Sequence, residues 1–193
     1  FMATCSGSQQ EQTSVSIYRS RIGIILVALA VCWFACEEAD YQLDNLSDPL
    51  NLGLTPPAIF FHPSSFNIGV NDTFSVKLYS YDLPDVAGAH LQVLYDRGSL
   101  QVDSVITDTL FRIEADPLLF MDDADGVLDV FLFAMPTQTS QNVSGTDAMA
   151  RVFFNVISPG ISELLYGDST RVVDAQNNPV QIKSYGQAIV DAQ

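Results

Sequence analysis

The chain has 193 residues and carries 23 acidic against 8 basic side chains, a formal charge of −15 at pH 7. That balance excludes nucleic acid as a partner, because phosphate binding needs clustered Lys and Arg, and it disfavours adsorption to anionic lipid headgroups. Three cysteines, Cys5, Cys32 and Cys36, are too few for a disulfide scaffold.

Phe1–Ile17 is polar, with Glu11 its one charged residue, and a translation start at Val15 is expected to leave Ser16–Arg21 as a compact basic segment. Arg19 and Arg21 precede a fifteen-residue run without charge, Ile22–Cys36. A spanning helix wants about 20 apolar residues, so this run is short for a bilayer. Its layout is that of a secretory signal: basic segment, apolar helix, then a small residue before the cleavage point. The ending Trp33-Phe34-Ala35-Cys36 resembles a bacterial lipobox, with Cys36 as the residue that receives lipid, although the consensus has Leu at Trp33 and a smaller residue at Phe34. Retention of the helix as an uncleaved anchor and ordinary secretion remain the alternatives.

Residues 1–35 are therefore read as a leader. Cleavage before Cys36 leaves 158 residues with 6 basic and 22 acidic side chains, and Cys36 as the sole cysteine. No intrachain disulfide, thiolate nucleophile or cysteine-based metal site is then expected in the mature chain. Membrane attachment must come from lipid on Cys36 rather than from charge. Residues 36–57 form a tether, closed by Pro56-Pro57. Flexible coil of that length holds a domain about 25 Å from its anchor.

From Ala58 to Gln193 the pattern has period two, broken by turns. Phe74, Val76 and Leu78 alternate with Ser75, Lys77 and Tyr79 before the breaker Asp82-Leu83-Pro84-Asp85. Leu91, Val93 and Tyr95 alternate with His90, Gln92 and Leu94 before Asp96-Arg97-Gly98. Phe111 and Ile113 alternate with Arg112 and Glu114, which predicts a strand there. Asp125-Gly126 signals a tight turn into Val127–Ala134. Ala150, Val152, Phe154 and Val156 alternate with Met149, Arg151, Phe153 and Asn155. Short strands without crossover helices predict an all-β fold, an antiparallel β-sandwich preceded by the one apolar helix of the leader.

The order of these segments is similar to that of the cohesin domain, a jelly-roll sandwich. Ile68–Val76 resembles the family's opening Val-Gly-Asp-Thr-Val-x-Val strand. Val86–Asp96, ending in Tyr95-Asp96, followed by Leu100-Gln101-Val102, resembles its strand ending in Tyr-Asp and the Leu-x-Val strand after it. Val143–Phe154 is similar to its Gly-x-Gly-x-Leu-x-x-Ile-x-Phe segment, with Asp147 in place of the second Gly, and Val172–Val180 with Gly186–Val190 looks like its closing hairpin and last strand. The resemblance implies a non-catalytic module that binds calcium-loaded dockerin helices on one sheet face, including the strands at His90–Leu94, Asp129–Phe133 and Arg151–Asn155. In cohesins of the first type an Asn and an Asp contact the dockerin where this chain has Gly88 and His90.

Alternation places His90, Gln92 and Leu94 outward, with Met149, Arg151, Phe153 and Asn155 outward on the later strand. Phe131 and Phe133 are expected to point out while Val130 and Leu132 point in. The candidate partner-binding patch is thus Leu94, Phe131, Phe133 and Phe153, rimmed by His90, Gln92 and Arg151. The alternative is a carbohydrate-binding module using Tyr79 and Tyr81, which share the outward face of their strand and would stack on a polysaccharide. A third reading is an extrinsic subunit of a membrane complex with the leader helix retained.

No catalytic constellation or cofactor motif is found. Asp122-Asp123-Ala124-Asp125-Gly126 invites a calcium reading, but an EF-hand alignment with Gly126 at the sixth position puts Met121 and Leu132 at the first and twelfth, where ligands are required. It is read as an acidic hairpin turn, and no metal site is expected. His62 and His90 show no ligand spacing. The expected protein is a bacterial envelope lipoprotein carrying one protein-binding sandwich.

Overall fold

The computed structural model describes residues 52–112, 116–135 and 142–193. The leader, the lipobox and most of the tether lie outside the described residues, and among those described no helix is long and apolar enough to cross a membrane.

The strands in chain order are β1 (Ala58–His62), β2 (Ser65–Ile68), β3 (Thr73–Tyr81), β4 (Leu83–Val86), β5 (Gly88–Leu94) and β6 (Leu100–Thr107). A helical turn, α1 (Thr109–Arg112), precedes β7 (Asp116–Ala124), β8 (Val127–Met135), β9 (Val143–Gly145), β10 (Ala148–Val156) and β11 (Gly160–Tyr166). The chain closes with β12 (Arg171–Val173), β13 (Pro179–Val180), β14 (Ser184–Tyr185) and β15 (Ala188–Ala192). Two sheets face each other as a sandwich. The first has the order β14-β1-β3-β10-β6. In the second, β5 pairs on one side with β8, which carries β7 at the edge, and on the other with β12 and β11, the latter leading to β15 and β2. Pairing is antiparallel apart from two short parallel ladders, β1 with β14 and β2 with β15.

Alternation delivers the core. Phe74, Val76 and Leu78 from β3, Leu91 and Val93 from β5, Leu128, Val130 and Leu132 from β8, and Val152 and Phe154 from β10 are buried in one cluster. Rings join within and between the layers: Phe74 stacks on Phe154 at 5.5 Å, and Phe61 of the first sheet stacks on Tyr166 of the second at 4.4 Å. Desolvation pushes the partly buried Tyr166 phenol well above its usual range, so it stays protonated, and its hydroxyl donates to the Phe60 carbonyl at 3.3 Å.

Three local expectations are corrected. The strand predicted around Phe111–Glu114 is instead the helical turn α1 where it is described, because Leu110 and Phe111 are neighbours and both are buried. A strand would send one of them outward, whereas a helical turn packs both. Met149, expected outward, is fully buried, because a bulge between Ala148 and Ala150 shifts the register of β10 against β3. Asp82–Asp85 is more than a breaker. Its backbone forms β4 against β9, with Thr146 and Ser144 hydroxyls accepting from the Asp82 and Asp85 amides, both at 2.9 Å.

The Asp125-Gly126 turn forms as expected, with φ of 53° and 82°, the left-handed pair a two-residue hairpin needs. Glycine is required at the second position, since a Cβ there would stand 2.7 Å from the Tyr95 carbonyl oxygen.

Candidate docking face

The outer face of the second sheet is built by register. Residues paired across an antiparallel ladder point to the same side, so each outward side chain of β5 fixes a row. One row is Leu118, Phe133, Gly88 and Val173; the next is Phe120, Phe131, His90 and Arg171; a third is Asp122, Asp129 and Gln92. Leu94 continues the face at the far end of β5, beside Val127 and Leu165.

The first two rows make an apolar ridge. Phe120 is 56% exposed, Leu118 42%, Phe133 41%, and Met135 beyond them 46%. A tight polar group supports it. Phe131 stacks on the His90 imidazole with centroids 4.3 Å apart and planes 15° off parallel. His90 Nε2 lies 2.7 Å from Asp129 Oδ1, and Gln92 Nε2 donates to the same oxygen at 3.0 Å. These contacts fix His90, Gln92 and Phe131, so the middle of the face beside the ridge is preformed.

Of the seven residues predicted as one patch, five share this face: His90, Gln92, Leu94, Phe131 and Phe133. Arg151 and Phe153 do not join them. They lie on β10, in the opposite sheet, so they point away from the other side of the sandwich. Past the bulge, alternation told inward from outward on Arg151–Val156 of β10 but carried no information about which layer the strand enters. Arg151 has a structural role there, since its Nη2 and Nε donate to Asp108 Oδ2 at 2.9 and 3.1 Å. Burial raises the Asp108 carboxyl, but hydrogen bonds from Thr109 and Arg151 outweigh it and hold the group below its ordinary range.

The residues missed from sequence are Leu118, Phe120, Met135 and Arg171. Leu118–Met121 is apolar at four successive positions and so has no period-two signature.

The sequence model of the Cohesin domain matches residues 64–187. The chain belongs to the cohesin domain family. The fold of this cohesin is similar to a non-cellulosomal cohesin of the archaeon Archaeoglobus fulgidus, with 16% identity, 70% of this chain and 90% of that chain covered, and a TM-score of 0.59. It is also similar to the sixth cohesin of scaffoldin B from Acetivibrio cellulolyticus, solved with a mutant dockerin, at 16% identity, 70% and 98% coverage and a TM-score of 0.57. The OlpA cohesin of Clostridium thermocellum, also solved with a dockerin, gives 14% identity, 70% and 98% coverage and a TM-score of 0.58. No curated protein matches the chain.

In this cohesin the Tyr95-Asp96 pair is held by hydrogen bonds. The Tyr95 hydroxyl donates to Asp123 Oδ1 at 2.6 Å, and burial together with that bond pushes the phenol up to about 12. Asp96 accepts from the Ser99 hydroxyl at 2.7 Å and the Gly98 amide at 2.9 Å, which holds its carboxyl below the usual range. The acids of the turn are engaged the same way: Asp123 with Tyr95, and Asp125 with Arg97 at 2.8 Å. Among the described residues no group of three acidic, His or Cys side chains is placed to hold a metal ion. On the first sheet, Tyr79 and Tyr81 share the outward face of β3, but the Tyr79 ring leans on Phe60 at 5.2 Å and His62 at 5.8 Å, tilted by 43° and 54°. Burial, then the neighbouring Lys77 ammonium, lowers the His62 imidazole.

Proposed function

We propose that this cohesin is a non-catalytic protein-binding module that docks its partner on the ridge of β7, β8 and β5, and that the partner is a dockerin. The observation that carries the reading is the ridge itself: Leu118, Phe120, Phe133 and Met135 are each more than two-fifths exposed on one preformed face. Contiguous exposed apolar surface of this kind marks interaction sites, and aromatic anchors on a rigid scaffold dominate binding energy. Family membership and the dockerin complexes of two structural neighbours support the choice of partner. Lipid on Cys36, supported by the Arg19–Cys36 layout, would anchor the module in the cell envelope, with Glu37–Pro57 as its reach.

The test is calorimetric titration against a panel of calcium-loaded dockerins from the source genome, repeated with chelator and with Phe120→Asp. Calcium-dependent binding that is lost in Phe120→Asp supports the reading. Binding that survives Phe120→Asp removes the ridge as the site, and a panel without any binder removes the dockerin as the partner.

A further inference from the structure

In the row Leu118, Phe133, Gly88 and Val173, the third position has no side chain. The result is a hollow of about 210 Å³ between Phe133 and Val173, closed at its side by His90, Ser169 and Arg171. Pockets for whole small-molecule ligands run to about 300–1,000 Å³, so this one suits a group the size of a single side chain. Its lining is apolar from Phe131, Phe133 and Val173, with one cation at the rim.

That cation is Arg171, and among the described residues it is not neutralised. Arg97 and Arg151 each pair with an aspartate, and His90 lies against Asp129. Among the described residues no carboxylate pairs with Arg171, whose Nη2 donates only to the Asn177 carbonyl at 3.3 Å. Two neighbouring acids are committed elsewhere. Asp174 accepts from the Gln176 and Asn178 amides and from Asn178 Nδ2, closing its own turn. Asp129 is shared between His90 and Gln92.

We propose that the hollow receives one side chain of the docking partner, an aliphatic or aromatic group that bears or adjoins a carboxylate, seated against Phe133 and paired with Arg171. This rests on the docking-face reading above. The chain's overall negative charge does not oppose it at contact, since repulsion between exposed charges is screened beyond about 8 Å at physiological salt, while a guanidinium–carboxylate pair acts at hydrogen-bond distance.

The test needs no natural partner. The ¹⁵N-labelled protein is titrated with 3-phenylpropionate and with its neutral amide, 3-phenylpropanamide, and amide shifts are followed. The expected result is shifts centred on Gly88, Ala89, His90, Phe133 and Arg171, with the acid binding at least about fivefold tighter than the amide. Arg171→Gln should erase that difference. Gly88→Val should block both ligands, because a Cβ at Gly88 already stands 3.1 Å from Phe133 Cδ1; Val173→Phe fills the hollow from its other wall should the first variant misfold. Shifts elsewhere, or equal affinity for acid and amide, would overturn the proposal. Such a failure with dockerin binding still lost in Phe120→Asp condemns the hollow alone, whereas binding unchanged in Phe120→Asp condemns the docking face and the hollow with it.

Discussion

Truncating Phe120 to alanine separates docking from folding more cleanly than any other change on the ridge. The side chain is 56% exposed in the free domain. A phenylalanine offers about 200 Å² for burial, so a partner that covers it removes about 100 Å² of apolar surface from water. At about 25 cal/mol per Å² that is about 2.5 kcal/mol. Alanine keeps part of the contact, so Phe120→Ala should cost about 2 kcal/mol of binding, a rise in Kd of about 30-fold. Folding stability should fall by less than about 1 kcal/mol, because the lost atoms face solvent. The assay is calorimetry against the bound dockerin beside thermal unfolding of the free variant, with Phe153→Ala on the opposite sheet as control. A Kd within twofold of wild type for Phe120→Ala, or equal weakening by Phe153→Ala, would refute the assignment of the face.

Asp108→Asn should destabilise the domain by about 1–3 kcal/mol, since it weakens a charged hydrogen bond to Arg151, and leave docking unchanged. Because the folded state holds the Asp108 carboxyl below its unfolded value, its contribution is present above about pH 4 and lost as pH falls through the folded value; acid titration of stability should be shallower in the variant. Tyr95→Phe should cost about 1.5–3 kcal/mol by deleting the donor to Asp123, as read from urea unfolding. The raised phenol works in the opposite sense: its stabilisation is full below about pH 10 and is lost as pH rises towards 12, so alkaline unfolding should be flatter in Tyr95→Phe. Cys36→Ser should abolish incorporation of labelled fatty acid and move the protein from the detergent to the aqueous phase in a partition assay.

The sandwich was legible because β3, β5 and β10 each bury one face, which prints period two into Phe74–Leu78, Leu91–Tyr95 and Ala150–Val156, while β8, apolar on both faces, was marked by the Asp125-Gly126 turn before it. Where a segment is buried on both sides the signal disappears. Leu110 and Phe111 look like half a strand until the helical turn places both inside. Met149 reads as outward until one bulge residue reverses it. The candidate docking face was half legible for a related reason. Outwardness is a property of a strand in its own sheet, so His90, Phe131 and Phe133 were found together with Arg151 and Phe153, which are equally outward on the other layer. Phe120 escaped because Leu118–Met121 has no polar partner positions to alternate with.

The edge position of β7 gives the acidity of this chain a further consequence. Among the described residues β7 pairs with β8 alone, and it carries Leu118 and Phe120 on its outer side. A long edge strand with exposed apolar residues is a template for stacking copies of the same chain into aggregates. Asp122 and Asp123 sit at one end of that strand, and the whole molecule is negative. Like charges of this kind act as gatekeepers that hold two such edges apart. Colloidal repulsion should therefore keep the protein monodisperse despite its exposed apolar edge. Protonating the carboxylates in acid should turn that protection off and bring the protein out of solution through this exposed edge strand.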